Sequence, residues 1–273
     1  MTLIRIIFAA IAATAVLALS APASADAFTI GGERCTLIEV PAAAPVGASP
    51  CPGVRPGAFV RTDKGACSLN FLFRGADGRR YIGTAGHCIL GESQLGGEDV
   101  GEETWAAGTG PEARDSQGNR IGEFAYAVLQ DPKDFALIRL DEDVPASAQM
   151  CHFGGPTGTN ADRASLPTLF HHYGNGLLVG DVLPARSALA LGTPSPDHVQ
   201  AVGVVVPGDS GGPMISPDGR ALGVVVAVGV AFGGIGGEGL EAGPVLVTRI
   251  APQEARAEQV LRTALTLQTA AKL

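Results

Sequence analysis

Short apolar runs separated by turn-forming residues recur along most of the chain. The runs are Ser68 to Phe73, Ile121 to Leu129, Ala136 to Leu140, Thr168 to Tyr173, Ala201 to Val206 and Leu222 to Val228. Each is too short for a typical helix and is rich in β-branched or aromatic residues, so each predicts a strand. Between them stand Ala76-Asp77-Gly78, Gly118-Asn119, Gly174-Asn175-Gly176 and Pro217-Asp218-Gly219. Glycine reaches positive φ and Asn or Asp bond their own backbone, which suits tight hairpin turns. The pattern is all-β, and regularly spaced hairpins favour barrels. Only the two ends depart from it. From Pro252 onward Val260, Leu261, Ala264 and Leu265 share one helical face, predicting a C-terminal α-helix. At the other end, Arg5 precedes a largely apolar stretch from Ile6 to Leu19, followed by Ala23-Ser24-Ala25. That order reads as a signal peptide over residues 1–25, and the stretch falls short of the about 20 residues that a membrane-spanning helix needs.

Charge narrows the partners. The chain carries 19 basic and 27 acidic residues for a formal net charge of −8, and no basic cluster is evident. Nucleic-acid binding is therefore disfavoured. No later apolar segment predicts a membrane span, so no membrane contact is expected after signal cleavage. The expected product is a secreted, extracellular monomer. Residues 41–60, with Pro41, Pro45, Pro50, Pro52 and Pro56, read as an extended lead-in.

Two segments carry the chemistry. One is Gly208-Asp209-Ser210-Gly211-Gly212, bounded by Pro207 and Pro213; the other is Thr84-Ala85-Gly86-His87-Cys88. A serine hydroxyl is a poor nucleophile near neutral pH and needs an imidazole to take its proton during attack. The glycines allow a sharp turn that can aim N–H groups at an oxyanion. Gly208-x-Ser210-x-Gly212 also fits the nucleophile elbow of the α/β-hydrolases, but there the histidine follows the serine. Here the five histidines (His87, His152, His171, His172 and His198) all precede Ser210, so that fold is excluded. A carboxylate between His87 and Ser210 should orient the imidazole. Asp134 opens the apolar run Phe135 to Leu140 and is the best candidate; Asp131, Asp141 and Asp143 sit beside proline or other acids and suit solvated turns.

These three segments resemble the chymotrypsin-like serine proteases of the trypsin/streptogrisin type, particularly the secreted bacterial branch, over roughly residues 56–267. The resemblance implies two six-stranded antiparallel β-barrels and a terminal helix. The expected divisions are residues 1–25 as signal peptide, 26–55 as an N-terminal extended segment, 56–150 as the first barrel, 151–250 as the second and 251–273 as the helix. It implies Ser210 as nucleophile, His87 as general acid and base, Asp134 as its orienting partner, and the N–H groups of Gly208 and Ser210 as the oxyanion hole. The implied activity is a secreted serine endopeptidase that cleaves polypeptides through an acyl-enzyme, with no cofactor and no metal. Two departures bear on specificity. Val204 stands where trypsin-like members place an acid at the base of the specificity pocket, so an apolar P1 residue is expected rather than Lys or Arg. Val226 falls where the family usually has a serine that bonds the catalytic Asp, and side chains of the valine-rich stretch in place of glycine are expected to narrow the pocket. A protease-like binding module with an impaired site and a hydrolase acting mainly on esters are the competing readings.

The chain has five cysteines. The resemblance implies a Cys67–Cys88 disulfide beside the histidine. Cys51–Cys151 would tie the lead-in to the crossing between barrels, with Cys35–Cys51 as the rival pairing. Ile30-Gly31-Gly32 faintly resembles the start of an activated family member, whose amine inserts beside the acid before the serine, but no basic processing site precedes it. In bacterial relatives an internal arginine can take that role. Gly234-x-Gly236-x-x-Gly239 matches the dinucleotide pattern without a surrounding βαβ unit, and reads as a glycine loop. His171-His172 with His152 could suggest a metal, yet neighbouring strand residues point to opposite faces.

Overall fold

The computed structural model describes residues 28–30, 33–35, 51–91, 100–130, 133–161, 168–176, 185–228 and 243–272. The expected signal segment 1–25, Asp131 and the glycine pattern 234–239 lie outside the described residues, as do Gly31 and Gly32. The chain divides into two units, residues 1–40 and 41–273. In the first, β1 (Phe28–Ile30) pairs antiparallel with β2 (Glu33–Cys35). The expected extended segment thus holds a hairpin.

The second unit contains two sheets and confirms the all-β reading. The first sheet comprises β3 (Phe59–Arg61), β4 (Ala66–Ser68), β5 (Leu72–Gly75), β6 (Arg80–Thr84), β7 (Gly101–Thr104), β8 (Glu112–Arg114), β9 (Arg120–Gln130) and β10 (Lys133–Leu140). A late strand, β17 (Leu265–Leu267), joins it. The order is β17-β5-β6-β10-β9-β8-β3-β4, with β7 also on β9. Among the described residues it is a half-barrel sheet of nine strands, more than the six expected. The second sheet is a closed six-stranded barrel. It is built from β11 (Thr168–Tyr173), β12 (Ala185–Ser195), β13 (His198–Gly203), β14 (Pro213–Ile215), β15 (Ala221–Val228) and β16 (Gly243–Arg249).

Side-chain periodicity explains where the cores form. Phe71, Phe73, Ile82, Phe124, Tyr126, Phe135, Leu137 and Ile138 are fully buried in the first sheet region. Phe170, Val199, Met214, Leu222, Val225, Val245 and Val247 form the buried cluster of the second barrel. β10 is central, between β6 and β9, and its side chains are buried on both faces, which accounts for its nearly continuous apolar run. The turns at Ala76 to Gly78 and Pro217 to Gly219 close the β5–β6 and β14–β15 hairpins, with Gly78 at φ 80° and Gly219 at φ 85°.

Three predicted elements are cut differently. The run Ser68 to Phe73 splits between β4 and β5, because Ser68 and Asn70 are spent on bonds to another loop. Strand β13 ends at Gly203, so Val204 to Val206 leave the ladder. The C-terminal helix α2 spans Ile250–Leu261 and stops at Arg262, which adopts a left-handed conformation (φ 54°). Leu265, expected on the helical face, instead starts β17 and pairs with Gly75 of β5. The alternation in Leu265-Thr266-Leu267 and a vacant edge on β5 outweigh the helical spacing. The helix packs on β15 and β16 but also touches β9, and Arg256 bonds Glu102 of β7 (2.9 Å).

Helix α2 also carries a pH-sensitive group. Burial, and then the neighbouring Glu258, push the Glu254 carboxyl up to about 7. A carboxyl raised in the folded state binds more protons than in the unfolded chain between its ordinary value and about 7, so stability falls as pH rises through that window. Glu254→Gln is therefore expected to raise Tm at pH 8 and leave it unchanged at pH 4, as measured by thermal unfolding across pH. An equal Tm difference at both pH values would count against the assignment.

Candidate active site

The two chemical segments are built by different sheets. Strand β6 delivers Thr84, and a one-turn helix α1 (His87–Leu90) follows it. Gly86 permits this approach, since a Cβ there would fall 2.0 Å from the carbonyl oxygen of Val128. Asp134 lies near the start of β10, opposite Leu129 of β9. Its carboxylate accepts twice from His87: from the backbone N–H at Oδ1 (2.9 Å) and from ring Nδ1 at Oδ2 (2.8 Å). A carboxylate only accepts, so Nδ1 carries a proton, and in the neutral ring Nε2 is then the acceptor. The side chains of His87 and Asp134 are 17% and 9% exposed. Asp141, an alternative acid, pairs with Arg120 at the surface (2.9 Å), and Asp143 is exposed, as suits turn residues.

Ser210 sits half-buried in the loop 207–213, between β13 and β14. Gly208 and Gly211 both take positive φ, 97° and 85°. Gly211 has no room for a side chain: a Cβ would meet Ser68 O and Thr84 Oγ1 at 2.3 Å and Ala85 N at 2.9 Å. The serine loop and the Thr84 to Cys88 segment are thus in direct contact. Within the loop, Gly212 N–H donates to Asp209 O (2.8 Å) and Asp209 N–H to Val206 O (3.0 Å). The first bond orients the peptide that carries Ser210 N–H. Strand β15 anchors the far side, with Gly211 N–H donating to Val225 O (2.7 Å) and Val225 N–H to Gly212 O (3.0 Å).

Asp209 is buried and holds the loop from below. Arg186 of β12 grips it at both oxygens, Nη1 to Oδ2 at 2.7 Å and Nη2 to Oδ1 at 2.5 Å, and Val206 N–H also donates to Oδ2 (2.8 Å). The pair is 2% and 0% exposed. The resemblance anticipated an internal arginine beside the acid before the serine but did not single out Arg186; the available signal was a lone cation in the largely apolar stretch Ala185 to Ala190. Gly174 and Gly176 complete the wall, because a Cβ on either would fall 2.5 to 2.6 Å from an Asp209 oxygen.

Val204 is half-buried, and its carbonyl accepts from His172 Nε2 (3.2 Å). Val226 is buried on β15, next to the residue that pairs with Gly211 and Gly212. His171 points the other way, with Nδ1 at 2.8 Å from Ser187 Oγ and its ring edge-on to Phe153. Burial first, then Lys272 for His171 and Arg186 for His172, lower both imidazoles to about 4. Cys67 bonds Cys88 beside His87, and Cys51 bonds Cys151, so the rival Cys35–Cys51 pairing is not adopted. Among the described residues, the groupings that could present three metal-ligating atoms are Cys51, Cys151, His152 and Cys67, His87, Cys88. All four cysteines are in disulfides and offer no thiolate. Among the described residues no helix is long and apolar enough to cross a membrane.

The trypsin family model matches residues 77–253, more than half of the chain, including all three segments just described. The chain belongs to the trypsin family. It is a serine-type endopeptidase, a hydrolase with the chymotrypsin-like two-barrel fold. Solved structures agree at the level of the fold. Thermobifida fusca protease A is 16% identical with a TM-score of 0.52, the match covering 79% of this chain and 99% of that one. Nocardiopsis protease is 18% identical (TM-score 0.50, covering 78% and 98%), as is Cellulomonas bogoriensis chymotrypsin (0.50, covering 79% and 99%). A comparison with curated proteins gives no match.

Proposed function

We propose that this trypsin-family chain is a secreted endopeptidase that cleaves polypeptides through an acyl-enzyme on Ser210, with His87 as general acid and base and Asp134 as its orienting partner. The observation that carries the reading is the pair of hydrogen bonds from His87 to Asp134, which makes Nε2 the acceptor end of the neutral ring, beside a glycine-shaped loop that carries Ser210. In the first step His87 Nε2 takes the Ser210 hydroxyl proton as Oγ attacks the scissile carbonyl. The N–H groups of Gly208 and Ser210 receive the oxyanion, and the imidazolium, stabilised by Asp134, protonates the leaving amine. Water then repeats the sequence on the ester.

Val204 and Val226 line the P1 pocket in this reading. Both are apolar, and a desolvated Lys or Arg side chain would find no counter-charge, so aliphatic or aromatic P1 residues are favoured. Secretion rests on the signal-like segment 1–25 and on two disulfides, which persist in oxidising compartments. The enzyme acts as a monomer on polypeptide, without a cofactor. The proposed domains are 56–150 and 151–250, with the Cys51–Cys151 bridge tying the lead-in to the start of the second.

Active-site labelling tests the assignment. A fluorophosphonate probe should label the purified protein, with labelling abolished in Ser210→Ala and His87→Ala. Labelling that survives in Ser210→Ala, or none in the folded wild type, would overturn it. Paired peptide and ester substrates then separate the endopeptidase from a hydrolase acting mainly on esters.

A further inference from the structure

We infer that Ser68, at the end of β4, and Asn70, in the link from β4 to β5, are buried positioning residues that hold the Gly208 to Gly211 backbone in its oxyanion-binding conformation. The inference rests on the nucleophile assignment above. Both side chains are 0% exposed and interrupt an apolar run, where an unsatisfied polar group is costly. Their long-range bonds converge on one loop. Ser68 Oγ donates to Gly208 O (2.7 Å), Ser68 N–H to Ser210 O (2.8 Å), and Asn70 Nδ2 to Gly211 O (3.0 Å). Three carbonyls flanking the proposed nucleophile are therefore held from the opposite sheet.

The orientations are determined by further partners. Asn70 Oδ1 accepts from Phe71 N–H (2.7 Å), so the amide nitrogen must face Gly211. Ser68 Oγ accepts from Asn175 N–H (2.9 Å), which leaves its own proton for Gly208 O. Ser68 O accepts from Thr84 Oγ1 (2.9 Å), so one residue links the strand leading to His87 with the loop carrying Ser210.

The need for such a clamp follows from glycine. Gly208, at φ 97°, has no Cβ to restrict rotation, and its N–H could swing away from an oxyanion at little intrinsic cost. The next peptide is fixed at both ends, its carbonyl by Ser68 Oγ and its N–H, on Asp209, by Val206 O (3.0 Å). Holding that peptide restricts rotation at the Gly208 Cα and keeps the donor aimed. Donors of this kind act on charge that develops in the transition state, so loss of aim lowers kcat and leaves ground-state binding intact.

The test compares wild type, Ser68→Ala and Asn70→Asp on a peptide substrate and a peptidyl boronate that forms a tetrahedral adduct. Ser68→Ala is expected to lower kcat about 10- to 100-fold, with KM changed less than about twofold and boronate affinity weakened in proportion to kcat. Asn70→Asp has nearly the same shape and places an acceptor against Gly211 O, so it carries the same readout if the alanine variant does not fold. Variants that lose only Tm, with kcat and boronate affinity at wild-type level, would overturn the positioning role while leaving Ser210 in place. A wild type with neither turnover nor boronate binding would overturn the nucleophile assignment and this role with it.

Discussion

Ser210→Ala is expected to lower kcat for peptide hydrolysis by about 10⁶-fold, and Asp134→Asn by about 10⁴-fold, with KM little changed in either. The serine change removes the attacking oxygen and leaves only the contribution of the oxyanion donors and substrate binding. The asparagine change is subtler. Its side chain keeps the shape of the carboxylate, but the His87 backbone N–H and ring Nδ1 both demand acceptors at 2.9 and 2.8 Å. An amide offers one acceptor, so its NH2 must confront a donor or force the ring into the tautomer whose Nε2 carries the proton. That tautomer cannot accept from Ser210. Steady-state kinetics on both variants checks the pair, and an Asp134→Asn enzyme within tenfold of wild type would show that the carboxylate is dispensable.

Removing the cation beneath the serine loop should have the largest effect on stability. Arg186→Met is expected to cost about 3–5 kcal/mol in denaturant unfolding, because it strands the Asp209 carboxylate in a site that is 0% exposed. Lysine should not restore it, since a single ammonium cannot reproduce the two-point grip of the guanidinium. Arg186→Met with Asp209→Asn should recover part of the loss, the buried charge being gone. Activity should fall with the single variant as well, because Asp209 receives the Val206 N–H (2.8 Å) and its own backbone closes the turn that presents Ser210. A variant as stable as wild type would show that water reaches the carboxylate.

What could be read from the chain follows the range over which each feature is encoded. The proposed site residues His87, Asp134 and Ser210 stand out in the chain because each sits in a short stretch whose local chemistry is distinctive: a glycine-flanked serine, a histidine after small residues, an acid opening an apolar run. Hairpins were legible for the same reason, with the turn residues at Ala76 to Gly78 and Pro217 to Gly219 next to the strands they join. Arg186 gave only a faint signal, since a lone arginine in a strand ordinarily reaches solvent. Ser68 and Asn70 looked like ordinary members of an apolar run. The tail was misread because Leu261 and Leu265 suit a helical face as well as they suit separate elements, and only the vacant edge of β5 distinguishes the two.

The all-β class, the approximate strands and the residue types that the proposed chemistry needs are encoded in short stretches of the chain, because backbone permissiveness, hydrophobic periodicity and ionisable groups are properties of a few neighbouring residues. Which groups hold the serine loop depends instead on contacts between distant segments. Arg186 lies 23 residues from Asp209, Ser68 lies 140 from Gly208 and Asn70 lies 141 from Gly211. Such pairs exist because a closed barrel and a half-barrel bring distant strands side by side, and burial then makes each unsatisfied polar group costly enough that its partner must be in place.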